Sequence, residues 1–289
     1  MKLSVRYHGA CSHAGSSPVW HVLRFATAIT VPTTVPTRPS SAAHARIFAG
    51  TSGWAYPTWK PDFYPASTPA KSFLEYYSSQ LTSVEVNYTF RALPTEKILK
   101  GWLGATPEHF RFSFKAPQRI THFKRLRECA GDVAQFVSTL KIVRQTGKLG
   151  LLLLQLPPNF KADASLLADF LDAPALQIDG PTPVAFEFRH ESWFSDTVYE
   201  VLRSHNASLC VAESDELATP EVHTSSTHVS FRLRRTGHYS SAELTALARR
   251  FVALAKERDV YVYFKHEDEP SGALNAAQLL AHTRETGTR

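Results

Sequence analysis

Glu85, Asn87, Lys115, Gln155, Glu187, Arg189, Glu213, Arg232 and Lys265 stand at or just past the ends of short apolar runs, most of them alternating with hydrophobic neighbours. In "PVAFEFRHESWF", residues 183–194, Val184, Phe186 and Phe188 share one parity while Ala185, Glu187 and Arg189 share the other. A strand turns alternate side chains to opposite faces, so this segment carries an apolar face and an ionic one. Carboxylates beside a lysine can move protons, and arginine forks bind carboxylate or phosphate groups in bidentate fashion. Glu85, Lys115 and Glu187 are therefore the candidate catalytic groups. Three glutamates against Lys115, Arg189, Arg232 and Lys265 would leave a collected pocket at +1.

Such groups do chemistry only if the fold brings them together. Eight β-rich runs recur: "RIFAGT" near 47, "SVEVNY" near 84, "FRFSFK" near 111, "GLLLLQ" near 151, "VAFEFR" near 185, "ASLCVA" near 208, "HVSFRL" near 229 and "DVYVYF" near 260. Between most of them lie stretches of helical period, such as "PAKSFLEYYSSQL", "CAGDVAQFVSTLKIVRQ" and "SAELTALARRFVALAKE". Eight alternations over about 240 residues predict a single (β/α)8 TIM barrel across 46–289, with a doubly wound open sheet as the competitor. The sixth link, "ESDELATPEVHTSST", holds at most one short helix. In a barrel the apolar parity packs on the helices, and the ionic parity enters the lumen near the carboxyl ends of the strands, where catalytic groups of this fold gather.

Charge is unevenly distributed along the 289 residues. Lys2, Arg6, Arg24, Arg38 and Arg46 precede the first acid, Asp62, so residues 1–46 carry +5 of the net +6 and the remainder is nearly neutral. Residues 1–45, rich in Ser, Thr, Pro and Ala, read as a disordered leader or an organellar (mitochondrial) transit peptide; their one apolar run is broken by His21 and Arg24 and is too short to span a bilayer. No membrane partner is expected. Cys11, Cys129 and Cys210 form neither a CxxC pair nor a disulfide framework, which favours a reducing, cytoplasmic setting unless the leader directs import.

Alternative chemistries have weaker support. Two carboxylates with Trp54 and Trp193 as stacking surfaces would suit glycoside hydrolysis. His122, His190 and His266 with glutamates supply metal-ligating atoms without a local ligand spacing such as HExxH, so no metal or other cofactor is assigned. Arg119, Lys124, Arg125, Arg127 and Arg234, with Trp54 and Tyr56, could line a nucleic-acid rim on an otherwise near-neutral body. Cys129 reads as a packing residue at a helix start. An ionic plug that only stabilises the lumen is the remaining alternative. No P-loop, GxGxxG or GxSxG is present.

"GTSGWAYPTWKPDFYP" (50–65), "VEVNYTFRALP" (84–94), "FRFSFKAPQRITH" (110–122), "LLQLPPNF" (153–160) and "EFRHESWF" (187–194) resemble the DUF72 (YecE-like) proteins, over about residues 47–285. The resemblance implies a TIM barrel of unestablished activity with mouth residues at Gly53, Trp54, Glu85, Asn87, Lys115, His122, Gln155, Glu187, Arg189, His190, Trp193 and Arg232. The chain departs from the family pattern in "FRLRRTGHY", where Arg234 replaces a His, and after the eighth strand, where Lys265 and His266 replace two Asn; Glu213 stands where an Asp is common. These readings converge on an enzyme acting on a small anionic or polar substrate, phosphorylated ones included. The anion would sit near Arg232, Arg234 and the "PSGALNA" helix start, and oligomeric state is left open.

Overall fold

The computed structural model describes residues 47–177, 180, 182–235, 239–265 and 269–287; the leader, Arg46 and His266 lie outside the described residues. All eight anticipated strands form: β1 (Ile47–Thr51), β2 (Ser83–Val86), β3 (Arg111–Lys115), β4 (Leu149–Gln155), β5 (Val184–Glu187), β6 (Ser208–Glu213), β7 (His228–Leu233) and β8 (Asp259–Phe264). They are parallel and ordered β1-β8-β7-β6-β5-β4-β3-β2, a nearly closed (β/α)8 barrel whose open seam lies between β1 and β2.

Around it run α1 (Phe73–Gln80), α2 (Glu96–Gly104), α3 (Ala130–Thr139), α4 (Lys141–Gln145), α5 (Ala164–Leu171), α6 (Asp196–Ser204), α7 (Ser241–Ala255) and α8 (Ser271–Gly287). The single helical stretch expected over 129–145 breaks at Leu140 (ψ 2°) into α3 and α4. No helix forms in the described link between β6 and β7. α7 starts on a capping box: the Ser240 hydroxyl accepts the Glu243 N–H and the Glu243 carboxylate accepts the Ser240 N–H, satisfying two otherwise orphaned donors.

The two parities of the strands separate as a barrel requires. Val84, Val86, Phe112, Phe114, Leu152, Leu154 and Phe186 join the core beneath the helices. Phe48, Leu151, Leu153, Ala185, Cys210, Tyr261 and Tyr263 fill the lumen. Phe48 stacks on Tyr261 at 4.9 Å, and the Tyr263 hydroxyl donates to Ser113 Oγ at 2.6 Å and lies 2.7 Å from Ser83 Oγ. The lumen is therefore closed below its mouth, and the ionic residues above rest on a packed plug.

The β1–β2 seam is held by a side chain from outside the ring. Thr82 N–H donates to Ala49 O (3.2 Å) across it, while the α1 phenol Tyr77 accepts the Thr51 N–H (2.8 Å) and donates to the Ser83 carbonyl (3.0 Å). Tyr77 is fully buried. Tyr77→Phe leaves a buried donor and acceptor unpaired, so urea unfolding should show a loss of about 1–3 kcal/mol; an unchanged midpoint would mean the seam does not depend on that hydroxyl.

Candidate functional site

Parallel register sets the floor of the mouth. Gln155 pairs in register with Glu187, and Ala212 with Arg232. The Arg232 guanidinium, 1% exposed, donates through Nη1 to Glu187 Oε2 and through Nη2 to Glu85 Oε1 at 2.6 Å. Ser52 Oγ, just past β1, donates to Glu85 Oε1 at 2.7 Å. Gln155 Nε2 (2.8 Å) and Arg189 Nε (3.1 Å) donate to Glu187 Oε1. Five strand ends thus converge on one Glu–Arg–Glu bridge. Burial would raise the Glu187 pKa, but the charges of Arg232, Arg189 and Arg234 outweigh it and pull the carboxyl down to about 2. Glu187 is therefore ionised at neutral pH and serves as an anchor for cations rather than as a proton donor.

Above this floor stand further cations. Lys115 ends β3 half-buried, with Nζ 4.2 Å from the Phe90 ring centroid and no carboxylate within ion-pair distance among the described residues. Burial, then the charge of Arg232, pushes its ammonium down to about 8, against the opposing pull of Glu85 and Glu187. Arg234 follows β7 on the parity of Arg232, and its guanidinium has no hydrogen bond or ion pair among the described residues. Arg189 uses only Nε on Glu187. Lys265 follows β8 on the lumen parity of Tyr261 and Tyr263. Two carboxylates, Glu85 and Glu187, thus face four cations, Arg232, Arg189, Lys115 and Arg234, so this group carries +2 when Lys115 is charged, more than the +1 expected.

The buried acceptors Glu85 Oε2 and Asn87 Oδ1 lack donors among the described residues. His122 packs edge-on against Phe90 at 5.0 Å, the same ring that faces Lys115, and its Nδ1 meets Thr121 Oγ1 at 2.9 Å. Burial first, then Lys115, Arg189 and Arg125, lowers its pKa, so the imidazole is neutral near pH 7. The loop that presents it holds Arg125, Leu126 and Glu128 at φ of 48°, 67° and 46°. Left-handed backbone costs non-glycine residues about 1 kcal/mol or more each, and Leu126, 3% exposed, is buried to hold it.

Four expected mouth residues do other work. Glu213 shares the parity of Leu209 and Val211, not of Cys210 and Ala212, and points out of the ring, where its carboxylate accepts the Tyr239 hydroxyl at 2.5 Å and faces Arg235 at 3.6 Å. Because both faces of β6 are apolar, alternation could not reveal its side. Trp193 is a wall residue, fully buried, stacked on Phe188 at 4.5 Å and donating Nε1–H to the Phe160 carbonyl at 2.6 Å. His190 Nδ1 accepts the Ser192 N–H and caps a short 3-10 turn. Trp54 packs edge-on against Trp102 of α2 at 5.2 Å. Ser52 and Phe90 join the site without having been among the selected residues, whereas Arg234 was expected beside Arg232 as part of an anion site.

The cations of the loop after β3 are largely paired. Arg119 and Lys124 meet Asp132 at 2.7 and 2.8 Å, Arg127 meets Asp163 at 3.1 Å, and Arg125 donates to Asn159 at 3.2 Å. Among the described residues no three His, Cys, Asp or Glu side chains gather as metal ligands would, and no helix is long and apolar enough to cross a membrane. Two cavities, of about 450 and 390 Å³, lie outside the lumen: one between β6, β7 and α7, lined by Val211, Glu213, Phe231, Leu233 and Tyr239 among others, the other between α3 and α5. Neither includes a residue of the ionic mouth.

Fold and site together define a TIM-barrel protein with a positively charged ionic mouth. Residues 48–289 match the family model described as a protein of unknown function, DUF72, and the chain belongs to that family. It is 31% identical over 158 residues to UPF0759 protein YunF of Bacillus subtilis, covering 53% of this chain and 54% of that protein. It is 30% identical over 150 residues to UPF0759 protein YecE of Escherichia coli K12, covering 52% of this chain and 50% of that protein. The chain thus spans about half the length of the curated relatives it matches. A solved DUF72 family protein from Thermotoga maritima aligns with a TM-score of 0.70 at 26% identity, over 82% of this chain and 99% of that one.

Proposed function

We propose that this protein is an enzyme acting on a small substrate bearing a carboxylate or phosphate, bound in the mouth of the barrel. The observation that carries this reading is the set of partly desolvated cations with spare donors, Lys115, Arg189 and Arg234, above a floor whose own charges are already mated. Away from bulk water an anion there would gain charge-assisted hydrogen bonds that exposed arginines deliver only weakly. Arg189 and Arg234 hold the anion, Lys115 exchanges the proton, and Glu85, Arg232 and Glu187 fix the geometry. Glycoside hydrolysis loses Trp193 as a stacking surface, since that ring is inside the wall, and Glu187 as a proton donor.

The pH sign is definite. As pH rises through about 8, Lys115 loses its charge. Anion affinity should weaken there, while a step using Lys115 as base should accelerate. Thermal-shift titration with short carboxylates, fully ionised at both pH values, checks this: stabilisation at pH 7 should shrink at pH 9, and at pH 7 an Arg189→Gln/Arg234→Gln variant should bind these carboxylates and inorganic phosphate at least about tenfold more weakly, from the loss of one or two charged hydrogen bonds. Equal stabilisation of wild type and variant would exclude the reading.

A second reading has its own observation: Glu85, Glu187 and Arg232 are each 2% exposed or less, as befits a structural plug. It accounts for the floor. It leaves the unmated cations above without a purpose.

A further inference from the structure

Resting on the anion-binding reading, we infer that Lys115 is a nucleophile, and that the substrate is a small aldehyde or keto acid whose anionic group is held by Arg189 and Arg234 while its carbonyl meets Lys115 Nζ. Of the cations in the mouth, the arginines stay charged at all working pH values and offer no lone pair. Lys115 differs in its setting. It ends a barrel strand half-buried, it has no carboxylate within ion-pair distance among the described residues to keep it an ammonium, and its Nζ lies over the apolar face of Phe90 at 4.2 Å. Burial first, then the charge of Arg232, favours the free amine against the opposing pull of Glu85 and Glu187.

The step balances without an external oxidant or reductant. The Nζ lone pair forms a bond to the carbonyl carbon while the C=O π pair moves to oxygen; one proton passes from nitrogen to that oxygen, giving a carbinolamine. The C–O bond then breaks, the oxygen takes a further proton from solvent and leaves as water, and the nitrogen lone pair closes a C=N bond. The product is a protonated imine, and its single positive charge stands over Phe90, where the ammonium stood, so the same cation–π contact serves both states. The cations above the floor stabilise the negative oxygen as it forms. His122, neutral and packed edge-on against the same Phe90 ring, is near enough to Lys115 to feel its charge and would accept a proton as the imine is converted onward. The buried, unpaired acceptors Glu85 Oε2 and Asn87 Oδ1 suit a substrate hydroxyl next to the carbonyl.

The full chain incubated with glyoxylate or glycolaldehyde phosphate and sodium cyanoborohydride should acquire a reduced adduct, located by peptide mapping at Lys115. At pH 7.5 the fraction of free amine on Lys115 exceeds that of an exposed lysine on the order of a hundredfold, so labelling there should outrun surface lysines by at least about tenfold. Lys115→Arg, which keeps a cation, should lose the adduct yet fold cooperatively and still be stabilised by phosphate. Neutral glycolaldehyde should react more slowly than its phosphate, and Arg189→Gln/Arg234→Gln should erase that preference. Adducts spread over surface lysines, or unchanged labelling in Lys115→Arg, would overturn the imine. Phosphate stabilisation that depends on Arg189 and Arg234 without any Lys115 adduct would also overturn it while leaving the anion site standing. Equal reaction of glycolaldehyde and its phosphate at Lys115 would sustain the nucleophile and overturn the anion site.

Discussion

Arg232→Met is expected to destabilise the protein by about 3–5 kcal/mol, the effect of stripping a buried ion bridge of its central partner. Among the described residues Arg232 is the one cation that touches both Glu85 and Glu187, and all three are 2% exposed or less. Without it two carboxylates remain in the lumen with Ser52, Gln155 and the half-exposed Arg189 as their donors. Those donors do not supply the lost charge at depth. Urea unfolding at pH 7 measures the loss, and a change within about 1 kcal/mol would mean that water reaches the floor and screens it.

The pH dependence separates wild type from variant by sign. In wild type the folded Glu187 pKa lies near 2, below its ordinary 4.5, so its stabilisation is complete above pH 4.5 and is lost as pH falls through that window toward 2. In Arg232→Met the orphaned carboxylates have raised pKa values, so their folded forms bind protons more readily than the unfolded chain. The variant's deficit should therefore shrink as pH falls from 7 toward 5. Combining Glu85→Gln and Glu187→Gln with Arg232→Met removes the uncompensated charges and should recover much of the loss.

Gly50→Ala is the second large effect. A β-carbon on Gly50 would stand 1.8 Å from the Ser83 carbonyl oxygen and 2.6 Å from the Tyr77 hydroxyl. The first contact is with backbone, which cannot rotate away, so β1 and β2 must part by more than an ångström. Parting them breaks Thr82 N–H to Ala49 O and pulls Tyr77 off Thr51 and Ser83. Overpacking together with two or three buried hydrogen bonds amounts to about 3–5 kcal/mol, enough to threaten folding of a domain of ordinary stability. Gly101→Ala is the control: Gly101 lies within α2 and a β-carbon there meets nothing within 4 Å, so it should stabilise by about 0.5–1 kcal/mol. Equal midpoints for the two variants would show that the seam is not a closed contact.

Strand periodicity was legible wherever one parity was ionic. "SVEV", "RFSFK" and "VAFE" each announced their lumen side, and Glu85, Lys115 and Glu187 are found on it. It failed at β6, where Leu209, Cys210, Val211 and Ala212 are apolar on both faces and Glu213 was placed on the wrong one. Residue type also misled at Trp193 and His190. Aromatic and imidazole groups just past a strand end suggest a ligand surface, yet one packs against Phe188 and the other caps the next turn.

The sequence by itself determined the eight strands, the alternation that sends ions inward, the ends at which they gather and the family, because these are local periodicities and short motifs. Which ions neutralise one another was decided only in the tertiary structure. Arg232 reaches Glu85 across 147 residues of chain and Glu187 across 45, and that mating consumes three charges while leaving Lys115 and Arg234 unmated. An ion's chemical character depends on its nearest opposite charge and on its distance from water, and both are set by contacts between segments that no local pattern records.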